Sequence, residues 1–210
     1  MVPVLHKTKK NNCMKNGLSG GCVILFSAIL LSCNDGTNVG NGSTDSTGTS
    51  GDTTSAKPTA MASLTGTYPD TTVNGTVKFE QESDGEVEME LEINMPSKAN
   101  QTVAVHIHEH GNCGDTAHHA GGHWNPTNAQ HGKWGSASYH AGDIGNVTLD
   151  ASGKGKLELE TSLWSIGGDA QKNILDKTII VHGGTDDYTS QPADNSGTRL
   201  ACGVITKSGS

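Results

Sequence analysis

The sequence predicts an all-β protein, built as an antiparallel β-sandwich or flattened barrel of eight strands with two long loops. Apolar and charged residues alternate with a period of two through much of the chain after residue 60. Turn residues separate these runs, and no segment shows the apolar period of a long helix. Glycine is abundant at 28 residues, whereas aromatic residues make up only 4%, which is typical of loop-rich β proteins.

The alternation predicts each strand in turn. In the clearest run, every second residue from Val87 to Ile93 is apolar and the residues between are glutamates, so one face is buried and the other charged. Leu157 and Leu159 alternate with charged residues in the same way. The predicted strands are 61–67, 74–82, 85–94, 102–109, 144–150, 154–161, 178–182 and 200–206.

Two long segments without an apolar period, 110–143 and 183–199, separate some of these strands. Loops of that length in a compact domain are usually functional. Six histidines and one aspartate lie in or beside them: His106, His108, His123, His131, His140, Asp143 and His182. Imidazole suits copper and zinc, and an added carboxylate suits zinc. Seven such ligands are about what two adjacent metal ions need.

The two groups of ligands differ in how strongly they predict a metal. His106-Ile107-His108 places two imidazoles on one side of a strand, which alone is weak evidence. His131, His140 and Asp143 add two nitrogens and one oxygen, three of the four ligands of a tetrahedral zinc site. His123 lies between the groups and could complete either. The alternative is a set of surface histidines in loops that bind no metal.

Residues 1–33 are predicted to be a lipoprotein-type signal segment that ends at Cys33. Basic residues precede the apolar stretch 23–31, which is too short to span a bilayer comfortably. The sequence Leu-Leu-Ser-Cys at 30–33 resembles the lipobox of bacterial lipoproteins, which implies lipidation of Cys33. The alternative is an ordinary cleaved signal. We therefore expect an exported protein, anchored to a membrane in the periplasm or at the cell surface.

Residues 34–60 are predicted to be a disordered tether to a folded domain at 61–207. The tether is rich in Gly, Ser and Thr and holds one large apolar residue, Val39. Four of the 14 basic residues and none of the 22 acidic ones precede Cys33, so the remaining chain carries a formal charge of −12. This charge disfavours nucleic acid as a partner.

Only two cysteines, Cys113 and Cys202, lie outside the N-terminal segment. In an exported chain a single remaining pair is expected to form a disulfide. The alternative is two buried free thiols.

Six stretches of the chain resemble the copper/zinc superoxide dismutase family and occur in the family's order. They are VHIHEHGNC (105–113), GGHWNP (121–126), HG (131–132), HAGDIGNVT (140–148), IIVHGGTDDY (179–188) and SGTRLACGVI (196–205). The resemblance covers about residues 60–207. It implies a Greek-key arrangement of the strands and an enzyme that converts superoxide to dioxygen and hydrogen peroxide by alternating Cu(II) and Cu(I).

The resemblance also implies a role for each residue. Copper would be bound by His106, His108, His123 and His182, and zinc by His123, His131, His140 and Asp143. His123 would thus bridge the two ions and, with Arg199 beside copper, act in catalysis. Asp186 would link His106 to His131, and Cys113 would pair with Cys202. Family members differ in oligomeric state, so a homodimer stays an open alternative.

Two departures from the family pattern and one competing function remain. Asp194 stands where many relatives place glycine, and the loop 183–199 contains no lysine, although many relatives carry lysines there. The competing function is a non-catalytic copper/zinc-binding lipoprotein for metal storage or delivery. Only the enzyme needs Arg199 and an open copper position, and the chain has no CxxC motif of a copper carrier.

Overall fold

The structure, a computed structural model, describes residues 56–209. The predictions for the signal segment, for Cys33 and for most of the tether fall outside these residues. Within 56–209 the chain forms nine strands, two 3₁₀ turns (Pro96–Lys98 and His118–Ala120) and no α-helix. The strands are β1 (Thr59–Gly66), β2 (Asn74–Gln81), β3 (Val87–Asn94), β4 (Thr102–His108), β5 (Gly145–Thr148), β6 (Lys154–Thr161), β7 (Thr178–His182), β8 (Arg199–Val204) and β9 (Thr206–Ser208).

The strands form one antiparallel sheet in the order β5-β4-β7-β8-β1-β2-β3-β6, with β9 also paired to β1. Strands β5 and β6, at the two ends of this order, contact each other and nearly close the sheet into a barrel. The chain leaves β3 for β4 and later returns to place β6 beside β3, which is a Greek-key connection. The predicted fold class is confirmed. No helix in the described range 56–209 is long and apolar enough to cross a membrane.

The ends of the sheet differ slightly from the predictions. β1 begins at Thr59, two residues before the predicted boundary. The predicted strand 200–206 is divided into β8 and β9. The division occurs at Ile205, whose N–H donates to the Lys177 carbonyl, after which the chain pairs with β1. The apolar pattern did not reveal this change of partner because Ile205 is itself a buried core residue.

The barrel core is built by the predicted alternation. In β3, the apolar residues between Val87 and Ile93 are buried and the glutamates face outward, where Glu90 pairs with Lys156 of β6. Trp164, fully buried, packs edge-on against Phe79 and donates its indole N–H to the Ala141 carbonyl over 2.8 Å. This contact fixes one end of the first long loop to the core.

Strand β4 is buried on both faces, unlike β1 or β3. Val103, Val105 and Ile107 point into the barrel core, as predicted. His106 and His108 point to the other side and are nonetheless only 0% and 1% exposed. The two long loops cover this outer surface, so the imidazoles lie in a closed, polar layer between sheet and loops.

Candidate metal centre

Three adjacent backbone segments bring four histidines together outside the barrel. β4 supplies His106 and His108, and its neighbour β7 ends in His182. A β-bridge between His108 and His123 draws the first long loop to the end of β4. The Nε2 atoms of His108 and His182 are 3.4 Å apart. One ring nitrogen from each of the four histidines lies within 4.8 Å of the others, which is close enough to surround one ion.

A second group gathers around the Asp143 carboxylate. Oδ1 of Asp143 lies 2.9 Å from Nδ1 of His123 and 3.1 Å from Nδ1 of His140, and Oδ2 lies 3.0 Å from Nδ1 of His131. Asp143 is held in place because its Oδ2 also accepts the backbone N–H groups of His140 and Gly132. Three imidazole nitrogens and one carboxylate oxygen form the ligand set of a tetrahedral zinc site.

His123 belongs to both groups. Its Nδ1 faces Asp143, so Nε2, on the opposite side of the ring, faces the four-histidine group. The ring is 4.0 Å from the His106 ring and 5.3 Å from the His131 ring, measured between centroids. The two groups therefore lie one imidazole ring apart, with His123 between them.

Hydrogen bonds on the far side of the rings fix their orientation. Nε2 of His106 and Nε2 of His131 each lie 3.0 Å from an oxygen of Asp186, which thus links the two groups. Nδ1 of His108 and Nδ1 of His182 donate to the carbonyls of Gly121 and Gly197. These bonds leave the other nitrogen of each ring unprotonated and directed inward, as metal ligation requires.

The residues present fit copper and zinc. Nδ1 of His106 is fully buried and has no hydrogen-bond partner, and Nδ1 of His131 is fully buried and makes no well-directed hydrogen bond, although Oδ2 of Asp143 lies 3.0 Å away. Buried polar atoms are nearly always satisfied, and a metal ion at the centre of each group would satisfy them. Four imidazoles suit copper, and three imidazoles with a carboxylate suit zinc.

Arg199, at the start of β8, pairs in register with His182 of the four-histidine group. Its Nη1 donates to the Ala117 carbonyl over 2.6 Å and its Nη2 to the Gly121 carbonyl over 2.8 Å. The Gly121 carbonyl also accepts from His108, so one carbonyl positions both the guanidinium and an imidazole. No residue pattern predicted these backbone acceptors.

The disulfide between Cys113 and Cys202 is present, with 5.9 Å between the Cα atoms and a sequence separation of 89. This prediction is confirmed. Cys202 lies in β8, three residues after Arg199, and Cys113 lies in the loop that supplies the carbonyl acceptors of Arg199. The disulfide therefore joins the two backbone segments that position the guanidinium.

The electrostatics of the centre favour neutral imidazoles in the four-histidine group. Burial, together with the neighbouring His123 and His182, lowers the pKa of both His106 and His108 well below the usual value. Burial also lowers the pKa of His182 to about 4. Neutral imidazole is the form that binds metal, so at neutral pH these side chains need not lose a proton first.

His123 and Asp143 behave differently. Burial opposes charge on His123, but hydrogen bonds to Asp143 and Asp194 outweigh it and raise the pKa of His123 to about 9. Burial likewise opposes charge on Asp143, but hydrogen bonds from His123 and His140 hold the pKa of that carboxyl well below its usual range. Without metal, a cationic His123 between two carboxylates occupies the position from which it can bridge two ions.

The metal-free protein is expected to lose stability on acidification. His106, His108 and His182 have folded-state pKa values below the unfolded value of about 6.5, so the unfolded chain binds more protons below that pH. Their contribution is complete above about pH 6.5 and is lost as the pH falls toward the folded values. Urea denaturation should show a free energy of unfolding lower by about 2 kcal/mol or more at about pH 5 than at about pH 7.

His123 offsets only a small part of this effect, and Asp143 offsets none of it. The raised pKa of His123 makes its contribution complete below about pH 6.5, and that of Asp143 is lost only at more acidic pH. His182→Gln should reduce the loss, whereas His118→Gln, at an exposed position, should leave it unchanged. A metal-free protein that becomes more stable between about pH 7 and pH 5 would contradict the prediction.

The structure thus brings together all seven sequence-predicted ligands, with Asp186 and Arg199 beside them. His110, His118 and His119 are exposed and lie outside both groups. Asp194 has its side chain only 3% exposed, next to His106 and His123. In the sequence, Asp194 was recognisable as a departure from the family pattern, but nothing there predicted a role for it.

Comparison with known proteins identifies similar chains. The model of the copper/zinc superoxide dismutase (SODC) family matches residues 73–205. The chain is 38% identical over 152 residues to a superoxide dismutase [Cu-Zn] of Yarrowia lipolytica, covering 70% of this chain and 96% of that one. It is 39% identical over 142 residues to one of Candida albicans, covering 65% and 91%.

The fold also matches a solved structure. The crystal structure of the clock protein EA4 superposes with a TM-score of 0.63 at 29% sequence identity, covering 72% of this chain and 95% of that one. The two relatives above are fungal, so they bear on the folded domain and leave the bacterial lipoprotein form untested.

Proposed function

The chain belongs to the copper/zinc superoxide dismutase family, and from this premise we propose which of its residues carry out the reaction. It is a superoxide dismutase, an oxidoreductase that converts superoxide to dioxygen and hydrogen peroxide and uses copper and zinc. The observation that supports the assignment of residues is His123, one imidazole shared between a four-histidine group and a zinc-type group.

We assign copper to His106, His108, His123 and His182, and zinc to His123, His131, His140 and Asp143. Copper, when bound, supplies one-electron chemistry between Cu(II) and Cu(I), whereas zinc has no redox chemistry and holds its ligands in place. Asp186 keeps the rings of His106 and His131 in fixed orientation through its two hydrogen bonds.

Two residues act on the substrate and the proton. Arg199 presents a permanent cation, and because two carbonyls hold its guanidinium, little side-chain freedom is lost when it binds a small anion. His123 can hold a proton on Nε2 and release it, while its Nδ1 remains fixed toward Asp143. His123 could thus supply one of the two protons that hydrogen peroxide needs, and solvent would supply the other.

The test is a superoxide dismutation assay on copper- and zinc-loaded protein, with Arg199→Ala as the variant. We expect kcat/KM to fall by roughly 10- to 100-fold, because about 1.4–3 kcal/mol of charge-assisted hydrogen bonding to the anion is lost. Arg199→Lys should recover part of this loss, because it keeps the charge without the planar fork. Metal content should stay unchanged in both variants.

The same assay distinguishes the competing function. A protein that stores or delivers metal would bind copper and zinc fully without turnover, and Arg199→Ala would then change nothing. The family match and the curated relatives do not favour that alternative. An unsubstituted, fully loaded protein without dismutase activity would overturn the proposed function.

We further propose that the protein is exported and held at a membrane by a lipid on Cys33. The support is the order of basic residues, apolar stretch and Leu-Leu-Ser-Cys in residues 1–33, together with a disulfide that suits an oxidising compartment. In a bacterial host supplied with labelled palmitate, the chain should take up label, and Cys33→Ser should abolish it. Label that persists in Cys33→Ser would contradict the anchor, whereas Cys22→Ser serves as the matched control.

A homodimer remains an open alternative, which light scattering on the purified protein would test.

A further inference from the structure

Asp194 places a third buried carboxylate, besides Asp143 and Asp186, next to the four-histidine group. Its side chain is 3% exposed. Oδ1 lies 3.5 Å from Nε2 of His123, the nitrogen that faces the four-histidine group, and Oδ2 lies 3.8 Å from Nε2 of His106. Oδ2 has no hydrogen-bond partner. The residue therefore lies close to two proposed copper ligands, next to the inward nitrogen of His123 and next to the nitrogen of His106 that Asp186 holds.

This carboxylate differs from the other two in the centre. Both oxygens of Asp186 and both oxygens of Asp143 have close hydrogen-bond partners among the histidines and backbone N–H groups. The nearby guanidinium of Arg199 is directed instead to the carbonyls of Ala117 and Gly121. Asp194 has a partner for Oδ1 alone, Nε2 of His123, and that nitrogen would be taken up by a bound metal. The buried carboxylate would then be costly unless another positive charge lay close by.

An ion held by the four-histidine group would supply that charge. We propose that Asp194 is an anionic residue of the copper site, which favours Cu(II) over Cu(I) and weakens the binding of anions at the open copper position. The inference rests on the proposed function, because it takes the four-histidine group to be the copper site. Asp194 would thus adjust two properties that the ligands alone do not determine, namely the reduction potential of copper and its affinity for anions.

The direction of both effects follows from charge. Cu(II) carries one more positive charge than Cu(I), so a nearby buried carboxylate stabilises the oxidised ion more and lowers the reduction potential. The same negative charge repels a small anion that approaches copper and offsets part of the attraction of Arg199. Both effects are larger in a closed site than at the surface, because water screens buried charges less.

Asp194→Asn tests the proposal, since it removes the charge and keeps the shape. The measurements are the Cu(II)/Cu(I) midpoint potential, azide binding followed by the visible spectrum, and the Cu(II) EPR spectrum. We expect the Cu(I)/Cu(II) ratio at a fixed potential to rise about tenfold, equivalent to about 59 mV for one electron. Azide should bind several-fold more tightly, and the EPR parameters should shift.

Asp187→Asn is the matched control from the same loop. The Asp187 carboxylate accepts hydrogen bonds from Ser190 and Thr189 at the surface and touches no histidine, so its removal should change none of the three measurements. Asp194→Gly is the second variant, which removes the whole side chain and should shift the potential and azide affinity in the same direction. Loss of copper with zinc retained in either Asp194 variant would also place the residue in the copper site.

Unchanged potential, azide affinity and EPR spectrum in copper-loaded Asp194→Asn and Asp194→Gly would overturn the proposal. This failure is distinct from failure of the proposed function. If the unsubstituted loaded protein did not dismutate superoxide but Asp194→Asn still shifted the three measurements, the function would be wrong and the role of Asp194 would stand.

Discussion

Replacing His123 with alanine is expected to impair both metal sites at once, whereas each neighbouring ligand should affect only one. His123 offers Nδ1 to the group around Asp143 and Nε2 to the four-histidine group, so no other side chain is common to both. We expect His108→Ala to lose copper and keep zinc, His131→Ala to lose zinc and keep copper, and His123→Ala to weaken both.

The expected size of the effect separates the three variants. Dismutase activity should fall by roughly a thousandfold or more in His123→Ala and His108→Ala, because each removes a copper ligand. The free energy of unfolding should fall by about 5 kcal/mol or more in His123→Ala and His131→Ala, because zinc binding contributes directly to folding. Metal analysis, the assay and urea denaturation on the same samples measure all three quantities.

His118→Ala is the control, because this histidine is exposed and belongs to neither group. A loaded His123→Ala protein that binds either metal with unchanged affinity would show that the ring is not shared. The proposed assignment of ligands would then be wrong even if the fold and the family stand.

The sequence predicted the barrel well because its signal is local. In β3, every second side chain must be apolar to fill the core, and the charged residues between them must face water, so the period can be read directly. The separation of β9 from β8 was not predicted. The separation depends on the backbone N–H of Ile205, which donates to the Lys177 carbonyl. Ile205 would be buried whether β8 continued or ended there, so the apolar pattern is the same in both cases.

The site was predicted to a similar degree and for a similar reason. Histidine and aspartate side chains are visible in the sequence, so the ligands and Arg199 could be named from motifs. The acceptors that orient them are backbone carbonyls of Ala117, Gly121 and Gly197, which any residue type provides. The folded path of the loop 183–199 brings Asp194 close to His123. No residue pattern in the sequence predicts that path.

Loss of the disulfide is expected to reduce both stability and activity. Replacing Cys113 and Cys202 with alanine opens a loop that spans 89 residues, and the chain-entropy estimate for closing it is about 4–5 kcal/mol. Alanine is the better replacement because Cys202 is buried against Ala117 and Ala120, where a hydroxyl would lack a partner. Urea denaturation of the variant and of the unsubstituted protein, both zinc-loaded, measures the difference.

The effect on activity should act through Arg199. Without the disulfide, the loop segment that holds the Ala117 and Gly121 carbonyls is no longer tied to β8, so the guanidinium loses its fixed position. In the background without the disulfide, Arg199→Ala should therefore cost much less activity than it does in the intact protein. Equal costs in the two backgrounds would show that the disulfide stabilises the fold without positioning Arg199, because independent effects add.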